Sequence, residues 1–171
     1  MCLRVLDSQS DHSEALNLLG LVAVQTRRLH DAEGFFARAI AANPADAAAH
    51  YNRGCALQML GRAEDALASF DRALAINPGY VNACKNRGSA LRELGRLDEA
   101  LASYDRVLQA KPDHADAHYN RGCALQKLGR SEEALASFDR ALALQPNLAA
   151  AAYNRGNTLF ALRRDREALA S

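Results

Sequence analysis

Small, aromatic and helix-ending residues recur along this chain in one order, and each run closes on a proline. Pro44, Pro78, Pro112 and Pro146 stand thirty-four residues apart (78 − 44 = 34). Glycines fall at Gly20, Gly54, Gly88, Gly122 and Gly156, alanines at Ala32, Ala66, Ala100, Ala134 and Ala168, and aromatics at Phe36, Phe70, Tyr104 and Phe138. A further small residue follows at Ala39, Ala73 and Ala141, with the larger Val107 in the third run. Small, large and helix-ending positions at fixed offsets describe a packing scheme, because side-chain volume is the property being repeated.

Counting a repeat from Ala47, the sequence divides into two stretches of roughly fourteen residues around Leu60, Gly61 and Arg62, and each reads as an amphipathic helix. His50, Gly54 and Leu57 share one face of the first, whereas Ala66, Phe70, Ala73 and Leu74 form the stripe of the second. Gly61, Gly95 and Gly129 stand where the first helix must stop, since a residue without a Cβ enters the left-handed region at little cost. Pro78 has no N–H for a continuing helix and biases Asn77 toward extended backbone, so the second helix ends there. The repeat is therefore a helical hairpin. Gly54 and Ala66 mark the close approach of its two helices, and Phe70 is expected to fill space toward the next repeat. One hairpin cannot bury its own apolar face, so stability requires stacking.

Glycine at position eight, alanine at twenty, an aromatic at twenty-four, a small residue at twenty-seven and proline at thirty-two resemble the tetratricopeptide repeat family. The resemblance covers nearly the whole chain: repeats at 13–46, 47–80, 81–114 and 115–148, an incomplete fifth at 149–171, and residues 1–12 as the tail of a preceding second helix. It implies an all-α fold, a right-handed superhelical solenoid of antiparallel helical hairpins in one continuous domain. The array is also similar to the repeat region of O-linked N-acetylglucosamine transferase-like bacterial proteins.

Charge excludes some partners. A net charge of +1 with both signs balanced favours neither nucleic acid nor an anionic membrane. No apolar run approaches the roughly 20 residues of a membrane span, and the start MCLRVLDSQSDH lacks the apolar core of a secretion signal, so a cytoplasmic protein is expected. Cys55 and Cys123 hold equivalent positions two repeats apart, roughly 16–20 Å for helices packed at 8–10 Å. That exceeds the reach of a disulfide. They, the interface-facing Cys84 and the terminal Cys2 read as small apolar fillers.

His114 and His118, with Asp113 and Asp116, have the one-turn spacing of a shared metal face, but His118 also occupies the core-facing slot of His50, which favours packing over metal. No nucleophile–base constellation or phosphate loop stands apart from the repeat. The reading is a non-enzymatic chain with no catalytic residues, cofactor or metal. Arg62, Arg96 and Arg130, near acids of the next helix, and Arg72, Arg106 and Arg140, each after an aspartate, read as surface pairs.

Asn52, Asn86, Asn120 and Asn154 recur at the sixth position, which the resemblance places in the concave groove. An amide carries donor and acceptor on one plane, so such a ladder suits the N–H and C=O of an extended peptide, and the transferase-like relatives use one to hold polypeptide. The alternative is that these amides bond neighbouring helices or water. At roughly 0.5–1.5 kcal/mol per group, four of them give a few kcal/mol, while micromolar binding needs about 8. Tyr51, Lys85, Tyr119 and Tyr153 one place earlier, with Gln58, Arg92 and Gln126 further along, are the expected contributors of the remainder.

The family's carboxylate clamp fails here. Lys85 and Asn120 match two of its places, but Ser89, Ala150 and Asn154 replace the others. Lys85 still favours an acidic residue in the ligand.

Arg53, Arg87, Arg121 and Arg155 take the seventh position, where the family has leucine and the first repeat has Leu19. Their stems are expected to pack along the helix interface while the guanidinium reaches Asp71, Asp105 or Asp139. Arg27 and Arg163 replace the glycine between the helices, Ser10 and Asp165 also depart from the pattern, and Ser171 falls inside a second helix, leaving an apolar edge. A partner protein or peptide in the groove is the leading reading. The alternatives are a substrate-presenting arm of a larger glycosyltransferase-like enzyme and a structural unit that self-associates end to end.

Overall fold

The computed structural model describes residues 13–162, which form helices and the turns between them. The expectations for residues 1–12, including Cys2 and Ser10, and for Arg163, Asp165, Ala168 and Ser171 lie outside the described residues. The helices are α1 Ser13–Gln25, α2 Leu29–Ala42, α3 Ala47–Met59, α4 Ala63–Ile76, α5 Val81–Glu93, α6 Leu97–Ala110, α7 Ala115–Lys127, α8 Ser131–Leu144 and α9 Ala149–Ala161. Odd-numbered helices are the first members of the repeats and even-numbered helices the second. The chain resolves into two compact units, Met1–Ala90 and Leu91–Ser171.

In the N-terminal unit α1 packs on α2, α2 on α3 and α3 on α4, while α1 also touches α3. In the C-terminal unit α6 packs on α7, α7 on α8 and α8 on α9, with α7 touching α9. Each unit thus contains antiparallel hairpins in which a second helix wedges against the first helix of the repeat that follows.

The small–large code has a direct physical basis. Phe36, Phe70 and Phe138 are fully buried, as are Ala32, Ala66 and Ala134. A Cβ on Gly54 or on Gly122 would lie 2.6 Å from the ring of Phe70 or Phe138, and one on Gly20 would strike Phe36. The glycine is therefore a notch that admits the aromatic of the same hairpin. The ring fills the notch of its own hairpin, and the equivalent Phe36 also shares a buried cluster with Ala56 of the next repeat. Each such burial contributes roughly 1.5–3 kcal/mol.

The turns follow from sequence as well. Gly61, Gly95 and Gly129 hold φ of 73°, 74° and 74° after the first helices. Arg27 sits at φ 60° in the same place, a left-handed conformation that costs a residue with a Cβ roughly 1–2 kcal/mol. Asn77, extended at φ −127° and ψ 91°, ends α4 one residue before Pro78. His50 and His118 place Nε2 3.1 Å and 2.9 Å from the carbonyl oxygens of Pro44 and Pro112, six residues back, so each ring ties a proline turn to the helix that leaves it.

Candidate functional site

The seventh-position arginines form a recurrent brace. Arg87 Nε donates to Asp71 at 2.5 Å, Arg121 to Asp105 at 2.7 Å and Arg155 to Asp139 at 2.5 Å, each joining a first helix to the second helix before it. Arg53 cannot follow suit, because Ala37 stands where the later repeats have aspartate. It pairs instead with Glu33, one turn earlier, at 2.6 Å. Arg121 also donates to the Ser137 hydroxyl at 2.8 Å, which in turn donates to the Glu133 carbonyl. The glycine-flanking Arg62, Arg96 and Arg130 meet Asp65, Glu99 and Glu133 three residues on, in exposed pairs.

The sixth-position asparagines are half-buried on the first helices. Asn52 Nδ2 donates to Asn17 Oδ1 at 2.9 Å. Asn86 Nδ2 lies 3.4 Å from both the Tyr51 hydroxyl and the Cys55 sulfur. Asn154 Nδ2 repeats this with Tyr119 at 3.5 Å and Cys123 at 3.4 Å. The sequence offered two uses for these amides, and the nitrogens of Asn52, Asn86 and Asn154 are engaged by the preceding first helix. Those bonds do not use Oδ1. Asn120 is half-buried on α7.

The structure thus assembles a cluster that sequence reasoning had divided. Cys55 and Cys123, read as fillers, each sit one helical turn beyond a tyrosine and beneath an asparagine. The signal was present as Tyr-x-x-x-Cys at 51–55 and 119–123, interrupted by Lys85 and Ser89 in the third repeat. Burial, then the neighbouring Cys55, pushes the Tyr51 hydroxyl far above its ordinary range. Burial likewise raises the Cys55 thiol. Tyr119 is raised by burial and by Cys123, with the positive charge of Arg92 opposing.

Tyr80, which sequence reasoning passed over, packs its ring against Tyr51 at a centroid distance of 4.9 Å, and Phe70 lies on another side at 6.0 Å. Gln58, Lys85, Arg92 and Gln126 are half-buried, and Gln126 Nε2 donates to the Thr158 hydroxyl at 3.3 Å. Tyr153 is 71% exposed on α9.

The other candidates resolve into local roles. His114 caps α7, its Nδ1 accepting from the Ala117 N–H at 3.4 Å, while His118 serves the proline turn. Asp46 caps α3 by accepting from the N–H groups of Ala48 and Ala49. Among the described residues, no three His, Cys, Asp or Glu side chains gather as a metal site, and no helix is long and apolar enough to cross a membrane.

Family models described as tetratricopeptide repeat match residues 3–47 and 17–81 and residues 115–148, and one described as TPR repeat matches 88–129. A search of curated proteins finds no match. Among solved structures, YrrB, described as a TPR protein with an unusual peptide-binding site, is 22% identical with a TM-score of 0.82, covering 98% of this chain and 86% of its own. A MamA crystal structure is 26% identical, covers 86% of each chain and has a TM-score of 0.81. MamA from Desulfovibrio magneticus RS-1 is 20% identical with a TM-score of 0.87, covering 92% of this chain and 89% of that one.

Proposed function

We propose that this chain, which belongs to the tetratricopeptide repeat family, is a non-catalytic scaffold that holds an extended segment of a partner protein along its first helices. The observation that carries this reading is the anchoring of Asn52, Asn86 and Asn154 through Nδ2. An amide pinned by its nitrogen presents its planar carbonyl oxygen in a fixed direction, and a pre-oriented acceptor loses less entropy when it takes a peptide N–H. Tyr51, Tyr119 and the exposed Tyr153 supply apolar area beside these amides, and Lys85, Gln58, Arg92 and Gln126 supply polar selectivity. The Asn120 amide extends the set on α7.

Panning the full chain against displayed random peptides, followed by calorimetry of a selected peptide, tests this. The double variant Tyr119→Ala/Asn120→Ala is expected to retain helical circular dichroism and weaken binding about tenfold or more. Recovery of no peptide, or equal affinity in the variant, overturns it.

A further inference from the structure

Arg92 differs from the brace arginines Arg53, Arg87, Arg121 and Arg155, each of which meets a carboxylate. Its Nε is buried on half-buried α5 surface and meets no hydrogen-bond acceptor among the described residues. The register explains why. Gln126, which holds the same repeat position, donates to Thr158, thirty-two residues on (158 − 126 = 32). The residue thirty-two on from Arg92 is Ala124 (124 − 92 = 32), fully buried and without an acceptor. A longer and permanently charged side chain therefore stands where the opposing helix offers only a methyl group. A guanidinium with a buried, unsatisfied N–H is costly to maintain and gains from any anion that reaches it.

The Tyr119 hydroxyl lies within reach of the Arg92 charge, which opposes the rise that burial and Cys123 impose on it. That hydroxyl accepts from Asn154 Nδ2 and has the weak sulfur acceptor of Cys123 for its proton. A carboxylate oxygen is a better acceptor than a thiol for both groups at once.

We propose that Arg92 and the Tyr119 hydroxyl form a carboxylate-reading subsite, which takes an acidic group of the bound peptide. This rests on the peptide-binding reading above and names a feature of the ligand. The twelfth repeat position of Arg92 lies outside the carboxylate clamp that the sequence fails to match. Gln58 and Gln126, at that position in the neighbouring repeats, carry no charge, so the subsite is single and marks one register of the ligand.

Fluorescence polarisation tests it with three labelled short peptides: alternating alanine and glutamate with an amidated end, the glutamine counterpart with an amidated end, and that counterpart with a free carboxyl end. Wild type is expected to prefer a carboxylate-bearing peptide over the amidated glutamine peptide by about tenfold or more. Preference for the first assigns an acidic side chain, and preference for the third assigns a chain terminus. Arg92→Gln installs the residue of the neighbouring repeats and should abolish the preference, read as the ratio of carboxylate-peptide to glutamine-peptide affinity. Tyr119→Phe, which removes only the hydroxyl, should reduce it. A preference that survives Arg92→Gln, equal binding of all three peptides by wild type, or loss of helical circular dichroism in Arg92→Gln overturns the subsite. Binding of none of the three by wild type, while a peptide selected by panning still binds, overturns the subsite alone.

Discussion

The two compact units hold the same tyrosine, cysteine and asparagine cluster in different surroundings. In the N-terminal unit Tyr51 lies between Phe70 and Tyr80. In the C-terminal unit Tyr119 keeps the equivalent contact to Phe138, at 6.1 Å. The position of Tyr80, however, is held there by Leu148, and Arg92 stands where the N-terminal unit has Val24. In one copy the tyrosine is enclosed by aromatic rings and the cation, Lys85, acts on Cys55; in the other the cation, Arg92, acts on the tyrosine itself. The repeat therefore conserves packing volume while leaving the chemistry at its exposed positions free to diverge, because a notch and its filler tolerate few alternatives whereas a partly solvated side chain tolerates many.

The largest effect should be the one the units share. Phe70→Ala and Phe138→Ala each empty a fully enclosed ring site over a glycine notch, and each is expected to cost about 3–5 kcal/mol. Urea unfolding measures both; a clear inequality would mean that the common packing is not equally supported in the two units.

Alkaline stability should separate them. Burial holds the Tyr51 hydroxyl above the roughly 10 of an unfolded tyrosine. The unfolded chain therefore releases that proton first, so the stability due to the protonated phenol is intact below about pH 10 and declines as pH rises beyond it. The slope is at most about 1.4 kcal/mol per pH unit and smaller for a half-buried group. Tyr51→Phe should flatten this decline more than Tyr119→Phe does, read as denaturation midpoints across the alkaline range.

A smaller difference lies in the turns. Arg27 occupies left-handed backbone in the N-terminal unit, where Gly95 holds the equivalent position in the C-terminal one. Arg27→Gly should stabilise by about 1 kcal/mol, read as a raised Tm. An unchanged or lowered Tm would show that the arginine side chain compensates its backbone.

The hairpin, its glycine notch and its proline end were legible in sequence because each depends on one residue's volume or backbone freedom. The braces at Asp71, Asp105 and Asp139 were legible for the same reason: two fixed positions face each other at a fixed offset. Glu33 was not, since it replaces a leucine and is recognisable as a partner only when Arg53 is seen to lack an aspartate. His50 and His118 were placed on the core side, but their acceptors are backbone carbonyls, which leave no mark in a sequence. The asparagines were identified as a set, while the choice among Tyr51, Cys55 and Asn17 as neighbours depends on contacts that periodicity does not encode.

The arginine braces also impose a grammar on the order of repeats. Among the described residues every brace runs from the second helix of one repeat to the first helix of the next, so the hairpins at 47–80, 81–114 and 115–148 each supply an acid forward and an arginine backward, while the first, with Leu19, supplies only the acid. Glu33 preserves this directionality after the acid has moved by one helical turn. Repeats can therefore be duplicated, deleted or exchanged as whole cassettes with their seams already matched, whereas a recombination point inside a hairpin would separate glycine notch from aromatic filler. The seams provide a route by which such an array changes length without redesign of its interior.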